Sequence, residues 1–150
     1  MTDPDSKSVV TGVMPSGWQD DSKWADVTVD YSEDTTGMHG GAAALKVNYS
    51  AHRGGACQFY QYVNQIQAGH SYTLSLWVKG DGKVPITLRL RQRTDPYTRF
   101  GEVSAAVGDT WTKLSATATA TVTGSALFMV LPAAPTVFEV DDASLVDNGG

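Results

Sequence analysis

His70-Ser71-Tyr72-Thr73-Leu74-Ser75-Leu76-Trp77-Val78-Lys79 alternates between apolar and polar side chains along its length. Tyr72, Leu74, Leu76 and Val78 fall on one side of an extended chain and Thr73, Ser75, Trp77 and Lys79 on the other, the pattern of a strand with one buried face. Gly80-Asp81-Gly82-Lys83 follows with the chemistry of a tight turn. Beyond it Ile86, Leu88 and Leu90 alternate with Thr87, Arg89, Arg91 and Arg93. Read as a hairpin in which Val78 pairs with Ile86, the two segments put Trp77 beside Thr87, Ser75 beside Arg89 and Thr73 beside Arg91 on one outer face.

The same period of two extends in both directions. Trp24 to Tyr31, Ala44 to Tyr49, Ala56 to Val63, Trp111 to Ala120, Ser125 to Leu131 and Thr136 to Val146 are rich in Val, Thr, Tyr and Phe. Gly, Pro, Asn and Asp clusters separate them. The Ala/Thr alternation of Ser115 to Thr123 lies between Leu114 and Val122 and reads as a flat strand of small residues. No long helix and no internal repeat is evident. The expectation is an all-β chain folded as one antiparallel β-sandwich over residues 1–150, with an ordered core from about residue 8 to 147. Met1-Thr2-Asp3-Pro4-Asp5-Ser6 and Asp147-Asn148-Gly149-Gly150 read as linker stubs of a longer polypeptide.

Bulk properties narrow the function. A chain of 150 residues suits one domain, and 41% hydrophobic against 18% charged residues is a folding composition rather than a disordered one. The net charge of −5 repels phosphate polymers and anionic lipid, so neither nucleic acid nor a membrane is an expected partner. Cys57 is the single cysteine, which excludes an internal disulfide, and no Cys/His cluster with zinc spacing surrounds it. The first residues have neither a basic nor an apolar stretch of the kind an export signal needs.

Four pieces occur in a shared order: Met38-His39-Gly40-Gly41-Ala42-Ala43-Ala44-Leu45-Lys46-Val47, Gln67-Ala68-Gly69 with the strand after it, Asp109-Thr110-Trp111-Thr112-Lys113-Leu114, and Val137-Phe138-Glu139-Val140-Asp141-Asp142-Ala143-Ser144-Leu145. Together they resemble the carbohydrate-binding modules of the related families 4, 9, 16 and 22, over about residues 37 to 146. Each piece also has a local reading: Gly40-Gly41 permits a tight start to a strand, and Gly69 closes the turn before the longest one. The resemblance implies a jelly-roll sandwich and a polysaccharide partner of the xylan, β-glucan or glucomannan class. It further implies a monomer covalently linked to a catalytic domain, secreted or at the cell surface. It also implies one structural calcium ion with Asp141, and Asp142 beside it, as ligands. The Asn-Gly-Phe-Glu type of opening that often supports this calcium is replaced by Ser8-Val9-Val10-Thr11-Gly12. Two adjacent aspartates supply only part of the six to eight oxygens calcium takes, and solvation of a sheet edge remains the other reading of the pair.

A sugar ring offers a flat C–H face with hydroxyls around its rim, so a binding site needs aromatic planes flanked by planar hydrogen-bonding groups. Trp77 with Arg89 and Arg91 meets that need, and the concave outer face of a sheet is its expected place. Three cations at spacing two repel one another unless acids or a ligand intervene, which keeps acidic polysaccharides open. Phe59 and Val63 share a face, leaving Gln58, Tyr60 and Tyr62 on the other, with Tyr60 as a second platform. Tyr97 sits in a loop able to reach a groove edge, whereas Trp18 and Trp24 are read as plugs of the sandwich. Leu131 stands where groove-binding relatives often have an acid or amide. Glu33, Glu102 and Glu139 form no recognisable acid/base pair, and His52, Arg53, Gln58 and Tyr60 match no lyase spacing. Catalytic residues are therefore not assigned. An adhesion-type sandwich remains open beside glycan binding, as does a small jelly-roll lyase or hydrolase.

Overall fold

The computed structural model describes residues 8–14, 17–22, 24–35 and 44–150. Its strands are β1 (Val9–Gly12), β2 (Trp18–Asp20), β3 (Asp26–Asp34), β4 (Ala44–Gly54), β5 (Phe59–Ile66), β6 (Ser71–Lys79), β7 (Pro85–Gln92), β8 (Arg99–Ala106), β9 (Thr112–Thr119), β10 (Gly124–Pro132) and β11 (Thr136–Gly149), with no helix among the described residues. They form a six-stranded sheet in the order β1-β3-β4-β11-β6-β9 and a five-stranded sheet in the order β2-β5-β10-β7-β8. β1 pairs with β3 in parallel; the other described pairs are antiparallel. The fold is a jelly-roll β-sandwich, as the alternation and the resemblance imply.

The period-two pattern explains the core. Tyr72, Leu74, Leu76 and Val78 of β6 are buried, as are Ile86, Leu88 and Leu90 of β7. Phe59 of β5 stacks on Phe138 of β11 across the two sheets, with ring centroids 6.0 Å apart. Trp18 closes this aromatic cluster edge-on, 5.4 Å from Phe59 and 6.4 Å from Phe128, which is the plugging role read for it.

One expectation fails. β6 and β7 are not a hairpin, because they belong to different sheets: β6 lies between β11 and β9, and β7 between β10 and β8. The Gly80–Lys83 turn is a crossover. Gly80 and Gly82 donate their N–H groups to Gly108 and Val107, at 2.8 Å each. Asp81 accepts from the backbone of Lys83 at 2.8 Å and from the Thr136 hydroxyl at 2.7 Å, which ties the crossover to the start of β11. Alternation specifies which side chains point inward but not which strand supplies the hydrogen bonds, so the register proposed from it had no independent support.

Alternation does not mark β1, β2 and β8 as strands. The first two are short, and β8 follows a loop whose Pro96 and polar residues obscure the alternation. The Gly40-Gly41 turn and the Met1–Ser6 stub lie outside the described residues.

At one open side of the sandwich β8 meets β9 across the sheets. A Cβ on Gly101 would stand 2.7 Å from the Thr117 carbonyl oxygen and 2.9 Å from the Ala118 Cα. Both are strand backbone and cannot yield, so Gly101→Ala is expected to cost about 1 to 3 kcal/mol. The check is a lower urea midpoint with an unchanged slope; an unchanged midpoint would show that the sheets are free to separate there.

Candidate functional site

The outer face of the five-stranded sheet is built around β10. Ala126, Phe128 and Val130 enter the core, so Leu127, Met129 and Leu131 point the other way. Met129 stands opposite Tyr60 of β5 and Arg89 of β7, and Leu127 opposite Tyr62 and Arg91. Leu127 and Met129 are nevertheless 5% and 1% exposed. They form an apolar floor covered by the bodies of the flanking tyrosines and the stems of the arginines.

The arginine row predicted from β7 is present, and its mutual repulsion is relieved residue by residue. Arg89 donates to Glu102 of β8 at 2.7 Å. Arg91 lies over the Tyr97 ring, 5.0 Å from its centroid, and Arg93 over the Tyr62 ring at 5.6 Å. Tyr97 takes a positive φ of 58°, a costly conformation for a bulky residue, in the loop that carries it to Arg91.

Facing this row is the segment after β2. Asp21 accepts from the Gln58 amide at 2.8 Å, and its own N–H donates to the Gln58 carbonyl at 2.9 Å. Ser22 and Gln58 exchange two further bonds, of 3.0 and 3.1 Å. Trp24 donates its indole N–H to the Asp21 carbonyl at 2.6 Å and keeps its ring 45% exposed. Gly55, at φ +77°, lets the chain pass behind it; a Cβ there would lie 3.0 Å from the Trp24 ring and 2.4 Å from the Ala25 Cβ. Burial pushes the Asp21 carboxyl above its ordinary value, against the opposing pull of the Gln58 hydrogen bond and the Arg91 charge.

These parts enclose a groove of ≈ 700 Å³ lined by Asp21, Trp24, Gln58, Tyr60, Arg91, Arg93, Tyr97 and Leu127. Three residues named from the sequence meet in it: Tyr60, Arg91 and Tyr97. Arg89 is on the same sheet face but spends its guanidinium on Glu102. Trp77 is elsewhere: it pairs in register with Asp141 and Lys113 on the outer face of the six-stranded sheet. The Trp77, Arg89 and Arg91 constellation is therefore not formed, a direct result of the crossover that replaced the hairpin. Trp24 and Asp21 were missed. Trp24 is not the plug its position suggests: its ring stays exposed, and a tryptophan set among Asp20, Asp21, Ser22 and Lys23 breaks the alternation that marks a core residue.

Asp141 lies in β11 at a register shift, 9% exposed, and its carboxylate accepts the Asp142 N–H at 2.9 Å. Asp142 has a positive φ of 50°. Among the described residues no three His, Cys, Asp or Glu side chains gather as metal ligands. By themselves the two carboxylates supply only part of the six to eight oxygens calcium takes.

Hydrogen bonding from Arg89 holds the Glu102 carboxyl below its ordinary value, against partial burial and with the charges of Arg89 and Arg99 assisting. A carboxylate lowered in the folded state contributes stability above its unfolded value and loses it as pH falls through the folded one. The Glu102 side chain is 41% exposed, so the contribution is under about 1 kcal/mol. Glu102→Gln is expected to melt slightly below wild type at neutral pH, with the gap closing on acidification below the carboxylate range. A gap that widened in acid would reverse the assignment.

Comparison with known proteins bears on the family and the fold. A family model described as a carbohydrate binding domain matches residues 14–136. No curated protein matches the chain. Among solved structures, one described as "CBM4 structure and function" is similar at 22% identity and a TM-score of 0.65, covering 83% of this chain and 79% of its own. The CBM22-1 xylan-binding domain of Paenibacillus barcinonensis Xyn10C is similar at 13% identity and a TM-score of 0.64, covering 91% and 89%. The CBM22-1-GH10 modules of Clostridium thermocellum Xyn10B, complexed with xylohexaose, are similar at 18% identity and a TM-score of 0.63. That match covers 92% of this chain and 27% of the other. At these identities the structural likeness establishes the fold.

Proposed function

This chain belongs to the carbohydrate binding domain family, and from that premise we propose that it binds a polysaccharide of the xylan, β-glucan or glucomannan class without cleaving it. The site is the groove on the five-stranded sheet. The observation that carries the reading is the groove's composition: three part-exposed aromatic rings, Trp24, Tyr60 and Tyr97, stand with Asp21, Gln58 and Arg91 around an apolar floor. Rings accept the C–H faces of sugars, and amide, carboxylate and guanidinium groups meet their hydroxyls. Asp21 is the one carboxyl among the described residues lining the groove, whereas glycoside hydrolysis uses two. That supports a non-catalytic role.

The xylan-binding and xylohexaose-bound relatives support the glycan class, and the module joined to a GH10 module supports attachment to a glycan-degrading domain. In a secreted or cell-surface protein such a module keeps its catalytic partner at high effective concentration on the substrate. Affinity on the order of millimolar to micromolar, about −4 to −8 kcal/mol, suffices for that.

Affinity electrophoresis in gels containing xylan, mixed-linkage β-glucan, glucomannan or laminarin tests the proposal. Retardation by at least one glycan is expected. Tyr60→Ala and Trp24→Ala should each remove about 1 to 2 kcal/mol, a roughly five- to thirty-fold loss, while Trp77→Ala should leave retardation intact. Loss confined to Trp77→Ala would move the site to the other sheet. No retardation in any gel would sink the glycan reading and favour a protein-binding sandwich.

One structural calcium ion at Asp141 and Asp142 is a separate part of the proposal. The expected result is a rise in melting temperature on adding calcium that Asp141→Asn abolishes; no rise in wild type removes the ion from the reading.

A further inference from the structure

The arginines of the five-stranded sheet are not equivalent. Arg89 has its carboxylate in Glu102, as Arg53 has in Asp26. Among the described residues Arg91 and Arg93 have no carboxylate within ion-pair distance. The Nε of Arg91 is buried with no hydrogen-bond partner. Both guanidiniums are backed instead by rings, Tyr97 and Tyr62, and both line the groove. A ring occupies the flat face of a guanidinium and leaves its N–H edge directed elsewhere. The chain carries a net charge of −5, so two groove cations without an ion-paired carboxylate are no consequence of a basic composition. Asp21, the carboxyl of the same groove, feels the Arg91 charge but is hydrogen-bonded to the Gln58 amide and forms no ion pair with Arg91.

We propose that the polysaccharide taken by this groove carries carboxylates, as uronic acid residues, and that Arg91 and Arg93 receive them. The inference rests on the reading of the groove as the glycan site. A planar carboxylate matches the guanidinium fork and forms charge-assisted hydrogen bonds that a neutral hydroxyl cannot equal. Asp21 gives the groove a direction. It follows β2, whereas Arg91 and Arg93 lie on β7 and just beyond it, with β5 and β10 between. The acidic sugar therefore sits over the β7 side, and a neutral ring lies toward Asp21, Gln58 and Trp24.

The test compares glucuronoxylan with the same polymer after its carboxyl groups are reduced to alcohols, which leaves the backbone unchanged. Wild type is expected to bind the native polymer about tenfold or more tightly, with the preference shrinking as salt is raised. In Arg93→Gln, an exposed position whose replacement spares the core, and in Arg91→Gln, the ratio of native to reduced binding should fall toward one. Dextran sulfate is the control for a polyanion without carboxylates, and wild type should bind it much less than native glucuronoxylan. Equal binding of native and reduced polymer, still dependent on Tyr60, would overturn the uronate inference and leave the glycan site standing. Binding of dextran sulfate as strong as that of glucuronoxylan would overturn it in favour of general polyanion attraction. Binding of neither xylan, nor of any neutral glycan, would remove the site itself.

Discussion

Two sheets share one core only if every strand sends alternate side chains inward, and in this protein that constraint is anchored by Phe59 stacked on Phe138 between the sheets. Tyr31 meets Phe59 edge-on at 5.8 Å from the six-stranded side, and Trp18 does so from the five-stranded side. Aromatic rings this large set the separation of the sheets and the phase of β5 and β11 at once. Once Phe59 points inward, Gln58, Tyr60 and Tyr62 must point outward. The groove is thus a consequence of core packing on the opposite side of the same strands.

The two outer faces use this freedom differently. On the six-stranded sheet Lys79 pairs with Glu139 at 3.4 Å and lies 5.3 Å from the Trp111 ring, a face of short-range charge matching. On the five-stranded sheet, Leu127 and Met129 occupy outward positions that a solvated face would fill with polar residues. Their cover of tyrosine and arginine turns a sheet surface into an aromatic and cationic floor. The second wall is formed after the end of β2, by Asp21, Ser22 and Trp24. It is held by backbone bonds to Gln58 and by the Tyr31 hydroxyl donating to Asp20 at 2.5 Å. A core tyrosine and a groove-side loop are therefore coupled through a single carboxylate, which gives the loop a rigid base without apolar burial of its own.

Much of the fold was legible because its signal is local. Eight strands were readable from alternation and turn residues, and the inward sets of β6 and β7 follow the alternation. The candidate site was legible in part. Tyr60 and Arg91 could be named because outward aromatics and cations stand out against a period of two, and Tyr97 because an aromatic in a loop can reach a groove edge. Trp24 and Asp21 could not, because they belong to an irregular segment whose position depends on hydrogen bonds to residues more than thirty positions away. β8 was hidden for a related reason: Glu102 matters only because Arg89 lies across from it, and no local pattern reveals a cross-strand partner.

By itself the amino-acid sequence determined the all-β class, the inward and outward sets of most strands, and the chemistry available on the outer faces. Each of these follows from neighbours in the chain and the geometry of an extended backbone. Only the tertiary structure decided that β6 and β7 join different sheets, which separates Trp77 from Arg91 by the whole thickness of the core. Strand partnership is set by long-range competition for edges: β11 and β9 occupy both edges of β6, leaving none for β7. Which aromatic meets which guanidinium is a property of that competition, not of the residues taken singly.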